Sequence, residues 1–192
     1  MPLRFSNGTS PPSLRPMKRI EVKLSLPVVA PLLDLMKASS DVLEAQIAAP
    51  ITLDDIDADF REEWRAELLA GQQEELHALM GLFNSDFFIN GVVAFDEDNA
   101  EIIVRACSAL RLRLRRHDLS VLEDEQLESG GVDLETLPAA LQKPFMCYVF
   151  LGTIQELIIQ HLDGAILRGP VGDAEPSEDY GADADDFDSE KD

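Results

Sequence analysis

Between Phe145 and Leu162 apolar residues point in nearly every direction around a helix, with Tyr148, Leu151, Ile154 and Ile158 on one side and Val149 and Leu157 on others. A helix with so broad an apolar surface needs other elements around it, which predicts a bundle with this segment near its centre. Pro144 reads as its opening residue and Gly164 as its C-cap. The longest apolar stretch, Phe145 to Ile154, is interrupted by Gly152 and Thr153 and stopped by Gln155 and Glu156. It therefore falls short of the roughly 20 apolar residues that span a bilayer, and no membrane role is expected.

Upstream segments supply the rest of a bundle. Ser25 is placed to cap a helix with Pro27 in its first turn, and Leu32, Leu33 and Met36 mark its buried face. That helix is expected to run, with a break near Ser39-Ser40-Asp41, through Leu43 and Ile47 to Pro50. Thr52 and Asp55 form a helix-start signal for a second helix. On it Phe60, Trp64, Leu68, Leu76, Leu79, Met80 and Phe83 fall at helical spacing, so they are expected to form one inward face. Gly71 would mark a kink or a close crossing. A third helix begins with the acids of Asp96 to Asn99 and ends with Arg111, Arg113, Arg115 and Arg116, as the helix dipole prefers. Its inward stripe is Ile103, Cys107, Leu110 and Leu114. A polar loop containing Gly130-Gly131 then leads to a short turn near Leu137.

Two segments have the other period. Ile20 to Leu24 alternates apolar and charged residues like a half-buried strand. Asn90-Gly91, between Phe87-Phe88-Ile89 and Val92-Val93-Ala94-Phe95, is a hairpin signal, and the resulting ribbon could also receive the strand at Ile20. The expected fold is mainly α: a compact bundle of about five helices with a small β-ribbon. Aromatic residues are only 6% of the chain, so the core is left mostly to Leu, Ile, Val and Ala.

At 192 residues the chain is sized for one domain. The expected division is a disordered leader over 1–16, a helical domain over 17–168 and a disordered acidic tail over 169–192, with Met17 an alternative start. Residues 173–192 hold ten acids against Lys191, a net −9 that leaves −12 of the total −21 on the rest. Both parts would repel nucleic-acid phosphates, so nucleic acid is excluded as a partner. Cys107 and Cys147 lie within apolar helical patterns and read as reduced thiols of a cytoplasmic protein.

Signatures of catalysis and metal binding fail on inspection. Asp55, Asp57 and Asp59 have the alternation of a calcium loop, but Phe60 and Ala66 stand where that loop needs Gly and Glu. His77, His117 and His161 share no zinc-binding spacing. There is no nucleophile elbow and no phosphate-binding glycine loop. No metal and no cofactor is expected. Arg111 stands out as a candidate anchor for a carboxylate, because guanidinium binds such groups through two parallel hydrogen bonds.

Two stretches carry a resemblance. Ala106-Cys107-Ser108-Ala109-Leu110-Arg111-Leu112-Arg113-Leu114 resembles the late-helix segment of the uncharacterised bacterial family called domain of unknown function 2017. Tyr148-x-x-Leu151-x-x-x-Gln155-Glu156 resembles that family's final helix. The likeness would span Met17 to Gly164, and it departs from the family at Ala109, where an Asp is usual. It implies a compact helical domain, and the frequent position of such genes near that of the Clp protease adaptor implies a link to protein quality control. The positions it carries over are Arg111, Gln155 and Glu156, as a buried ion-pair and hydrogen-bond network between two helices. The expected function is non-enzymatic protein interaction or regulation, accessory to Clp-type proteolysis, with a protein partner and scope for homo-oligomers. The alternative is a small enzyme using Arg111, Glu156 and His161 in an inter-helix pocket.

Overall fold

The computed structural model describes residues 18–49, 57–128 and 131–166. The leader 1–16, the tail 169–192, and the helix-start signal at Thr52 and Asp55 lie outside them. The chain is mainly helical, with one two-stranded antiparallel ribbon. In chain order the elements are β1 (Arg19–Lys23), α1 (Leu26–Leu43), α2 (Ala58–Gly81), α3 (Ser85–Asn90), β2 (Val92–Asp96), α4 (Ala100–His117), α5 (Asp124–Glu128), a 3-10 turn (Leu134–Thr136) and α6 (Ala139–Ile166).

The ribbon forms between distant segments. β1 pairs with β2 in the register Ile20↔Phe95 and Val22↔Val93, which puts the apolar residues of both strands on one face. Val93 and Phe95 are buried, and Ile20 and Val22 pack partly buried against the core. The expected hairpin about Asn90-Gly91 does not form, because Phe87-Phe88-Ile89 is helical. The Asn84 side chain accepts hydrogen bonds from the Asp86 and Phe87 amides at 2.9 and 3.1 Å and so caps α3. Phe87 is then buried edge-on against Phe83, with ring centroids 5.2 Å apart. Gly91, at φ 68°, ends α3 in the left-handed conformation, its N–H donating to Phe87 O at 2.7 Å. Its carbonyl accepts from the Leu24 amide at 2.7 Å, tying the helix end to the ribbon.

α1 starts after Ser25, with Pro27 in its first turn, and ends at Leu43. No break occurs at Ser39-Ser40, since both serines are helical and buried. α2 runs unbroken through Gly71, and a Cβ built there would meet nothing within 4 Å, so this glycine marks neither a kink nor a close crossing. α6 begins at Ala139, five residues before Pro144, and passes through Gly164 to Ile166. Pro138 supplies the real start: its carbonyl accepts from Leu141 N at 2.8 Å. Pro144, inside the helix, removes the bond its missing N–H would have made to the Ala140 carbonyl and crowds that carbonyl with its ring.

α4 is the hub. It packs most extensively on α6, then on α2, and also touches α1. Ile103, Cys107, Leu110 and Leu114 are all buried along its inward stripe. α6 is less enclosed than its composition suggests, because Val149 and Ile159 are each 47% exposed. Residues 139–162 do reach the length and apolarity of a membrane span, contrary to expectation. In this fold their apolar side, including Leu151, Ile154 and Ile158, is buried in the core.

Candidate functional site

Arg111 and Gln155 meet across the α4–α6 interface. Arg111 Nη1 donates to Gln155 Oε1 at 2.7 Å. The Gln155 amide donates in turn to Ser108 Oγ at 2.7 Å and to Val104 O at 3.0 Å, and the Ser108 hydroxyl donates to Val104 O at 2.9 Å. Both N–H groups of the Gln155 amide and one lone pair of its oxygen are thus employed, which fixes its orientation. The Arg111 guanidinium lies over the Tyr148 ring, 4.3 Å from its centre. Gly152 leaves room for it, since a Cβ there would sit 3.4 Å from Arg111 Cζ. Among the described residues no carboxylate pairs with Arg111, and its buried Nε has no hydrogen-bond partner.

Glu156 is not part of this set. One residue beyond Gln155 means a turn of about 100° around the helix, and Glu156 lands on the exposed face with Val149, Thr153 and Gln160. Its carboxylate accepts from Gln160 Nε2 at 2.9 Å. The expected buried ion pair is therefore replaced by a neutral acceptor and an aromatic face. His161 is exposed on the same helix, and His77 and His117 are exposed on α2 and α4. Arg111, Glu156 and His161 line none of the concavities described below. Among the described residues no three His, Cys, Asp or Glu side chains gather as a metal site would need. Burial pushes the thiols of Cys107 and Cys147 up to about 12 from 9.0, which keeps both protonated and poor nucleophiles. Both are free.

The surface feature with most to offer lies between α2 and α4. The apolar face expected along α2 divides in two. Leu76, Leu79 and Phe83 are buried, whereas Phe60, Trp64 and Leu68 are 65%, 52% and 40% exposed. Leu68 and Gly71 of α2, Ala109 and Leu112 of α4, and Ile47 and Ala48 beyond α1 line an open concavity of about 400 Å³. A second concavity, of about 360 Å³ and formed by Phe60, Glu63, Trp64 and Glu67, adjoins it through Glu67. Together they make a trough beside α2.

Side-chain bonds hold its end near Gln72. Gln72 Oε1 accepts from Ala48 N at 2.8 Å, and its amide donates to Leu43 O at 2.8 Å and Gln46 O at 3.0 Å. Gln73 donates to Glu44 O at 2.6 Å, and Arg116 to Ala48 O at 3.3 Å. On the opposite side Arg105 of α4 bridges Glu75 of α2 at 2.6 Å, and within α4 it also pairs with Glu101 at 2.5 Å. Neither the trough nor the role of Gln72 follows from the sequence pattern. The signal available there was the solitary Trp64 in an acid-rich turn, which periodicity alone assigns to the core.

No family model, no curated protein and no solved structure matches the chain.

Proposed function

We propose that this protein is a non-enzymatic interaction or regulatory protein that holds a protein partner in the trough between α2 and α4. The observation behind this reading is the exposure of Phe60, Trp64 and Leu68 on successive turns of one helix. Three large apolar side chains in one row form a contiguous patch, unlike the scattered apolar residues of an ordinary surface. Tryptophan, with tyrosine and arginine, is enriched among the anchors of protein interfaces. The half of α2 that bears these residues packs little on its own domain: residues 62–68 are all exposed. A short helix with few tertiary contacts is marginal in water and gains stability from a surface laid against it.

The family resemblance makes the Clp protease machinery the first partner to test. A photo-crosslinking amino acid placed at Leu68 should capture that partner in the native cell, and one at Glu156 on the far face of α6 should not. Equal capture from both positions, or none from Leu68, would count against the trough. The enzymatic alternative gains no support from the geometry, because Arg111 is engaged with Gln155 and Tyr148 while Glu156 and His161 face solvent.

A further inference from the structure

We infer that the occupant of this trough is an amphipathic helix of another protein, with lysines and arginines bordering its apolar face. The inference rests on the interaction reading above and adds the partner's chemistry. From Phe60 to Glu75 the trough follows α2 for 16 residues, about 22 Å at the helical rise, which suits about four turns of a second helix. The floor is apolar and its side chains repeat at helical spacing, as in grooves that accept a helix.

The rim decides the sign. Successive residues turn by about 100°, so Glu63 and Glu67 border the Phe60–Trp64–Leu68 row on one side while Arg61 and Arg65 lie on the other. Both glutamates are exposed, and among the described residues neither has a cationic partner. Glu75, further along, is already bound by Arg105. On the Glu63–Glu67 side of the row the open charges are therefore negative, against the exposed Arg65 on the other side, and the chain's net charge of −21 draws basic partners in from a distance. A second copy would bring another acidic rim and another −21. The chain's own acidic segment, 173–192, has the same wrong sign.

Trp64 is the single tryptophan of the chain, so its emission reports the trough directly. The probe is a tryptophan-free peptide of about 18 residues, leucine on one helical face and lysine on the rest, compared with its leucine–glutamate counterpart. The full chain titrated with the lysine peptide should show a saturable shift of Trp64 emission to shorter wavelength. Leu68→Asn should weaken that affinity about tenfold by removing apolar contact. The double variant Glu63→Gln/Glu67→Gln should weaken it by a similar factor and flatten its salt dependence.

Four results would overturn the inference. An equal response to the glutamate peptide would refute the basic partner and leave the trough reading standing. Lysine-peptide affinity unchanged in Leu68→Asn would place binding on acidic surface elsewhere. A blue shift on concentrating the protein alone, with a doubled mass in sedimentation, would make a second copy the occupant. No response to either peptide from a monomeric protein of native circular dichroism would refute both this inference and the trough.

Discussion

Gln72 offers the sharpest test of how the trough is built. Its amide makes three hydrogen bonds to the backbone between α1 and α2, at Leu43, Gln46 and Ala48, and the residue is itself buried. Replacing it with methionine keeps most of the volume and removes all three bonds. The bonds to Leu43 O and Ala48 N are buried, so their backbone groups cannot recover water freely; Gln46 is exposed and can. At about 1 kcal/mol per lost bond, Gln72→Met should cost about 2–3 kcal/mol. Gln72→Ala should cost about 1–2 kcal/mol more, from lost side-chain packing at about 0.8 kcal/mol per methylene. Urea unfolding followed by circular dichroism measures both, with Gln73→Ala as the control. That neighbour makes one exposed bond to Glu44 O, so its loss should cost under about 1 kcal/mol. A Gln72→Met variant within about 0.5 kcal/mol of the parent, near the ordinary level for surface changes, would refute the claim that this amide holds the connection in place.

Other consequences are equally specific. Gly71→Ala should stabilise the chain by up to about 1 kcal/mol, since the added methyl meets no atom and alanine favours helix. Gly91→Ala should destabilise it by more than about 1 kcal/mol, because φ is +68° and the new Cβ would stand 2.9 Å from Leu24 O; thermal unfolding of the pair should separate in opposite directions. Cys107 and Cys147 should resist a thiol reagent at pH 8 and react at once in denaturant. Because folding raises both pKa values from 9.0 to about 12, their contribution to stability is complete below about pH 9 and is lost as pH rises toward 12. Arg111→Lys should destabilise by about 1 kcal/mol despite keeping the charge, since an ammonium neither stacks on Tyr148 as a plane nor reproduces the guanidinium fork at Gln155. Equal stability of Arg111→Lys in urea would show that charge alone matters there.

The helical character of the chain was legible because it is written locally. The stripe of α4 and the charges at its two ends are decided within one helix, and so is the alternation of β1. The errors came where two local solutions compete and a distant atom decides. Asn90-Gly91 serves equally well as a hairpin turn or a helix end, and the Asn84 cap with the burial of Phe87 selects the helix. Pro144 and Pro138 are both acceptable near a helix start, and only the hydrogen bonds choose Pro138. Periodicity aligned Phe60 and Trp64 with Leu76 and Leu79, because a repeat identifies a face and says nothing of what covers it. Gln155 and Glu156 were indistinguishable as neighbours in the sequence. The turn of the helix sends one to Arg111 and the other to water. Gln72 was invisible for the same reason, its partners lying 24 to 29 residues away.

The packing of α1 on α6 bears on the birth of the protein as well as on its final state. Synthesis delivers the chain N-terminus first, so Val29, Leu32, Leu33 and Met36 leave the ribosome long before Ala139 and the residues after it. At ordinary elongation rates that interval is about 5–20 s for roughly a hundred residues. Throughout it the apolar face of α1 lacks part of the surface that will cover it. A nascent chain in that condition is open to chaperones and to aggregation, and the speed of translation between α1 and α6 becomes a determinant of yield independent of the stability finally reached.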